Sequence, residues 1–395
     1  MKHNLIAKGI STVLVGSMLL SLIGCGKSSD KAALEIPDFI VEVEAGRDPI
    51  VLQLTDPQIV DAAQARSEGR LPEEQKPFYA TDMAEQNCYK YLREIITETK
   101  PDLILMTGDL VYGEFDDAGT ALTGLIEFME SFEIPWAPVM GNHEGESTKG
   151  ADWQCEQLEN AKHCLFKQRD LMGNGNYTVG IKQDKQLKRV FFMLDSNGCT
   201  EMSVETWGNC HTTAGEGFTD GQIVWYTDTA NKIKEHSPDT KFSFAFHIPM
   251  VSFADAYAKY GFTNSGTKDN PIDIDALKEL QEDDKSDFGY VGGDVVGWDQ
   301  DEKVLKGMKE LGVDSIFVGH IHTISASVVK DGIRFQFGQK SSAYDHMNYR
   351  GPDGDIVDTY YTPDYADYKP IVGGTVIPLS AEDGAIKEPY IYYCK

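Results

Sequence analysis

The stretch Ser315-Ile316-Phe317-Val318-Gly319-His320-Ile321-His322 decides how this chain is read. A short strand-like run ends at a glycine, and two histidines follow with one residue between them. Working outward, the same arrangement recurs at four other places. Leu54-Thr55-Asp56-Pro57-Gln58 follows an apolar run over 50–54, and Thr107-Gly108-Asp109 follows one over 103–106. Gly141-Asn142-His143-Glu144 follows an extended segment over 136–140, and His247 follows 242–246.

Each cluster alone carries little weight. One aspartate among 63 acidic residues belongs by default to the surface, and a lone histidine beside apolar residues is usually a satisfied core residue. Gly-His-x-His should arise by chance in about one chain per hundred, and Gly-Asn-His-Asp/Glu more rarely still. Their joint occurrence, each at the end of a strand, is not accidental. Helices expected over 87–99, 122–132, 152–171, 222–235 and 302–311 alternate with these strands, and 328–337 reads as a hairpin around Asp331-Gly332. That alternation predicts an α/β protein with buried sheets. In such sheets ligands bind outside the carboxyl ends of the strands, so the five clusters should meet on one rim.

The residue types fit one chemistry. Hydrolysing a phosphate ester at neutral pH requires a strong nucleophile beside an anionic centre. Two cations about 3.5–4 Å apart generate bound hydroxide and neutralise the attacking and leaving oxygens. Carboxylate, imidazole and amide ligands suit Mn, Fe or Zn, and one aspartate can bridge both ions.

The ordered blocks resemble the calcineurin-like metallophosphoesterase superfamily over roughly residues 50–337. The resemblance implies a two-sheet α/β/β/α sandwich with the metals at one edge and the loop 249–300 near the cleft. By it, Asp56 and His322 hold the first metal, Asp109 bridges, and Asn142, His247 and His320 hold the second. His143 faces the substrate as charge stabiliser or proton donor, and Glu144 orients its ring. Gly173-Asn174-Gly175-Asn176-Tyr177, Leu194-Asp195-Ser196, His247-Ile248-Pro249 and Gly332-Ile333-Arg334 look like the purple-acid-phosphatase-29-like subgroup. One departure stands out: Gln58 occupies the place where the superfamily has histidine, and its amide is a candidate ligand. Tyr112, in Gly108-Asp109-Leu110-Val111-Tyr112, is another candidate, as a tyrosinate on ferric iron or as a packed ring.

The first residues read as an address. Lys2 and Lys8 precede a charge-free apolar run ending in Leu22-Ile23-Gly24-Cys25, which resembles a bacterial lipobox. The expected organisation is a signal peptide over 1–24, a lipidated Cys25 with a tether over 25–45, and a phosphoesterase domain over 46–395. The protein is then exported and anchored to the bacterial membrane at Cys25. Its net charge of −27 argues against a nucleic-acid docking surface and leaves a phosphorylated small molecule or headgroup as substrate.

Six cysteines remain after Cys25. Cys155/Cys164, Cys199/Cys210 and Cys88/Cys394 are the disulfides to test, against buried free thiols. Two segments, 249–300 and 344–368, break the alternation. Phe253, Tyr257, Tyr260 and Trp298 in the first either line a cleft or pack the loop to the body. The competing reading of the whole chain is a binding lipoprotein on a degenerate phosphoesterase fold, with Gln58 marking the loss of one metal.

Overall fold

Leu103-Ile104-Leu105-Met106-Thr107 is buried at every residue, as a strand covered on both faces must be. The computed structural model describes residues 36–64, 82–198, 217–258, 287–292, 294–298, 301–342, 348–350, 356–358 and 371–395. In chain order its strands begin with β1 (Phe39–Glu42), β2 (Ile50–Leu54), β3 (Leu103–Thr107), β4 (Trp136–Val139) and β5 (Tyr177–Gln183). Next come β6 (Gln186–Met193), β7 (Lys241–Ala245), β8 (Phe288–Val291), β9 (Val313–Val318) and β10 (Ile324–Lys330). The chain closes with β11 (Ile333–Phe337), β12 (Asn348–Arg350), β13 (Ile356–Asp358), β14 (Gly373–Pro378) and β15 (Tyr390–Tyr393). The α-helices are α1 (Asp82–Thr99), α2 (Thr120–Glu130), α3 (Gly150–Asn160), α4 (Asp220–His236), α5 (Ser252–Ala258) and α6 (Glu302–Leu311).

Two main sheets result. The smaller has the order β15-β14-β2-β3-β4, with β2, β3 and β4 parallel. The larger runs β1-β5-β6-β7-β9-β11-β10-β8, with β6, β7, β9 and β11 parallel at its centre. Strand alternation shows how they stack. Phe191 and Met193 of β6 join the core shared with the smaller sheet, whereas Val190 and Phe192 join a second core with Tyr226, Ala230 and Ile233 of α4 and Val304 and Met308 of α6. Opposite faces of one strand thus serve two cores, which is the two-sheet sandwich the sequence implied. The buried Gln53 amide stitches the sheets together, donating to Val318 O at 3.0 Å and Thr107 Oγ1 at 3.1 Å.

Several expectations need correction. Residues 39–42, assigned to the tether, are β1, paired in parallel with β5 through Phe39–Val179 and Val41–Ile181. The fold therefore reaches back to Ile36. The helix expected over 152–171 stops at Asn160. Beyond it Trp136 N–H donates to His163 O and Leu165 N–H to Trp136 O, so 163–165 borders the edge strand β4 instead of continuing the helix. Within 249–300, Phe253 packs edge-on against Phe335 and Phe337, and Trp298 packs at a tilt against Phe218 and Phe246. Phe253, Tyr257 and Trp298 are buried core residues that pack the segment to the body; Tyr260 lies outside the described residues.

Cys155, Cys164 and Cys394 are free thiols, so the pairs Cys155/Cys164 and Cys88/Cys394 are not made. Burial pushes the Cys155 thiol up to about 12. Cys25, Cys199 and Cys210 lie outside the described residues. No helix among the described residues is long and apolar enough to cross a membrane.

Candidate metal centre

The carboxyl ends of β2, β3, β4, β7 and β9 meet at one edge of the sandwich, three from the smaller sheet and two from the larger. Backbone bonds tie the ends together: Asp56 N–H donates to Gly108 O at 3.1 Å and Gly319 N–H to His247 O at 3.1 Å. Four site residues hold left-handed backbone, with φ of 51° at Asp56, 45° at Gln58, 51° at Asp109 and 85° at His320. Each such conformation costs a non-glycine residue about 1–3 kcal/mol, and strain of this kind gathers where side chains must be aimed. Glycine is required beside them. A Cβ on Gly141 would fall 2.3 Å from Asp109 Oδ1, and one on Gly319 would fall 2.6 Å from Asp56 Oδ2.

Two groups of ligand-type atoms converge there: Asp109 with His247 and His320, and Asp56 with Asp109 and His322. Asp109 belongs to both, the position of a bridging carboxylate. His247 Nε2 lies 3.2 Å from Asp109 Oδ1 and 3.1 Å from Asn142 Oδ1, and His320 Nδ1 lies 2.8 Å from the same amide oxygen. His322 Nε2 is 3.3 Å from Asp56 Oδ1. The six residues named from the sequence are therefore brought together.

The protonation pattern suits a cation. His247 Nδ1 sits 2.8 Å from Thr107 O, a carbonyl that can only accept, so Nδ1 carries a hydrogen and Nε2 faces the other donors. Asp109 Oδ1, Asn142 Oδ1 and His247 Nε2 then turn lone pairs on one another, an arrangement that calls for a positive charge among them, and His320 Nδ1 meets the same amide oxygen with a hydrogen or a lone pair according to its tautomer. Without a metal a proton fills that need. Burial opposes it, yet the Asp109 carboxylate raises His247 to about 10, and burial with the His247 charge lowers His320 to about 3. Although burial pushes Asp109 up, His247 and His143 hold it well below the usual carboxylate range. The donor set fits a pair of metal ions.

Gln58 lies in the site, its Nε2 3.4 Å from Asp109 Oδ2. Tyr112 is buried, with its ring centroid 4.4 Å from that of His143 and 5.2 Å from that of Phe115. His143 Nε2 points toward Asp109 Oδ2 at 3.7 Å. Glu144 does not orient that ring. Its Oε2 accepts Gly141 N–H at 2.6 Å and its Oε1 accepts Leu110 N–H, so it locks two strand-end loops together. Burial and the nearby Asp109 push its carboxyl up.

The carboxylate at the His143 ring is Glu146, whose Oε2 lies 2.9 Å from Nδ1. Sequence adjacency favoured Glu144; Glu146 is brought round by the 3-10 turn Glu144–Glu146. The strand-end Thr55 was also missed, its hydroxyl donating to Asp56 Oδ2 at 2.6 Å. The further motifs form a brace. Asp195 accepts Asn174 N–H and Asn197 N–H, Gln222 Nε2 donates to Asn176 Oδ1, and Ser196 Oγ accepts Ile248 N–H beside His247.

A family model described as calcineurin-like phosphoesterase matches residues 51–323. The chain is 24% identical over 242 residues to a protein of Arabidopsis thaliana named probable inactive purple acid phosphatase 29, covering 55% of this chain and 59% of that one. To probable inactive purple acid phosphatase 28 of the same plant it is 41% identical over 199 residues, or 44% and 47% of the two chains. It thus spans about half the length of these curated relatives, which agree with the subgroup resemblance. A dimetal phosphatase of Danio rerio superposes with TM-score 0.46 at 12% identity, over 84% of this chain and 93% of that one. With the family model covering well over half of its length, the chain belongs to the calcineurin-like phosphoesterase family.

Proposed function

We propose that the protein is a dinuclear-metal phosphohydrolase that cleaves phosphate mono- or diesters outside the cytoplasm, held at the bacterial membrane by a lipid on Cys25. The observation that carries the reading is Asp109, shared by two groups of ligand atoms with His143 beside it. Asp56 and His322 would hold one ion, and Asn142, His247 and His320 the other, with Gln58 and Tyr112 as further candidates. Such a pair, of Mn, Fe or Zn, supplies charge neutralisation and activation of water. The chain's own part is to aim the ligands through strained strand ends and to present His143 Nε2 as the proton donor to the leaving oxygen.

Relatives named probable inactive raise the rival reading, a binding lipoprotein that has lost one metal at Gln58. In this chain the six ligand candidates and His143 are all retained in one site, which favours catalysis. Hydrolysis of nitrophenyl phosphate mono- and diesters, with added Mn(II) and with chelator, tests the choice. Metal-dependent turnover supports the hydrolase, and none from folded protein favours the binding reading. Incorporation of labelled palmitate into full-length protein, lost in Cys25→Ser, tests the anchor.

A further inference from the structure

His143 is gripped on three sides. Its Nδ1 lies 2.9 Å from Glu146 Oε2, its Nε2 lies 3.7 Å from Asp109 Oδ2, and the Tyr112 ring covers one face with planes 34° apart. Glu146 is buried, and its Oε2 also accepts Glu114 N–H at 3.4 Å. Two 3-10 turns, Gly113–Phe115 and Glu144–Glu146, create the contact by packing on each other. Gly113 N–H donates to His143 O, and Glu146 N–H donates to the same oxygen, each at 3.2 Å. The packing needs glycine at 113, because a Cβ there would fall 2.3 Å from His143 O and 2.6 Å from Ser147 N. Glu144 has both oxygens committed to backbone amides and cannot serve the ring.

We propose that Glu146 is the positioning residue for His143 in ester hydrolysis. This rests on the hydrolase reading above. A carboxylate at Nδ1 fixes the hydrogen on that nitrogen and holds the ring so that Nε2 faces the metal side. There Nε2–H gives its proton to the leaving oxygen as the phosphorus–oxygen bond breaks. The ring is left neutral, with Nδ1–H still on Glu146, and it regains the Nε2 proton from water. Glu146 touches no reacting atom.

Two measurements test the assignment. The first compares nitrophenyl phosphate, whose leaving group needs no protonation, with an alkyl phosphate, whose leaving group does. Glu146→Gln should lower kcat for the alkyl ester about 10–100-fold more than for the nitrophenyl ester, with metal content unchanged. It should add little to the loss already caused by His143→Ala. An equal loss on both esters, or a loss that tracks metal content, overturns the positioning role. The second is proton NMR of metal-free, ¹⁵N-histidine-labelled protein. A low-field Nδ1–H resonance should be present in the wild type and absent from both Glu146→Ala and His143→Ala. If no such resonance exists in an active wild type, the Glu146 pairing is wrong. A wild type that shows the resonance but hydrolyses neither ester fails the hydrolase reading instead, and any catalytic role for Glu146 falls with it.

Discussion

Asp109 and His247 come from different sheets, and their side chains meet with Oδ1 and Nε2 3.2 Å apart. Asp109 follows β3 of the smaller sheet and His247 follows β7 of the larger. Neither strand alone could build the site. The centre exists because stacking the sheets brings their carboxyl ends to one edge, and Gln53 pins that stacking within the core.

The shared carboxylate leads to the first prediction. Asp109→Asn keeps the shape and the contact with His143 N–H but removes the charge between the two ligand groups. Hydrolysis should fall by more than the roughly 10–100-fold usual for losing a residue that only supports a ligand. Circular dichroism should stay native. Retained activity would show that Asp109 is not the bridge.

Gly141→Ala attacks the same atom from the backbone. The new methyl would overlap Asp109 Oδ1 at 2.3 Å, so the carboxylate must move. Bound metal per chain, read by elemental analysis, should drop along with activity. Native metal content in this variant would mean that the carboxylate can shift at no cost to the site.

A glycine far from the centre should behave in the opposite way. Gly307 lies inside α6 with no atom within 4 Å of an added Cβ, so it gives flexibility and no packing. Gly307→Ala should raise stability by roughly 0.5–1 kcal/mol, visible as a higher Tm, with activity unchanged. Gly312, which ends that helix at φ 78°, should lose about 1 kcal/mol on the same change.

Asp38 fastens β1 to the body and gives stability a pH dependence. Burial raises its carboxyl, but hydrogen bonds from Lys167, Arg169 and Thr178 outweigh burial and lower it below the ordinary value. A depressed native pKa stabilises the fold above about pH 4 and loses that contribution as pH falls further. Asp38→Asn should therefore cost about 1.5–3 kcal/mol at pH 7, by urea unfolding, with the gap closing only below about pH 4. A gap that is constant down to pH 2 would remove the charge from the explanation.

The metal ligands were legible in the sequence because chemistry and position agreed. Asp56, Asp109, Asn142, His247, His320 and His322 each sit two to four residues past a short apolar strand, and such strands are read from composition alone. What escaped lacked that signal. β5 contains Gly180 and Lys182, and β14 opens on Gly373-Gly374, so neither presents a continuous apolar run. β1 shows a half-exposed pattern of four residues that reads as a tether until its partner β5 is known. Glu146 was hidden for another reason: which of two nearby glutamates meets a ring depends on the turn between them, and turn geometry is set by Gly113 in a different loop.

The most direct measurement titrates Mn(II) into metal-free protein while following both bound metal and hydrolysis of a nitrophenyl phosphate ester. A dinuclear centre should give turnover that rises to a plateau at about two ions per chain and disappears with chelator. A folded protein that binds one ion or none, and hydrolyses nothing with any divalent metal, would contradict it.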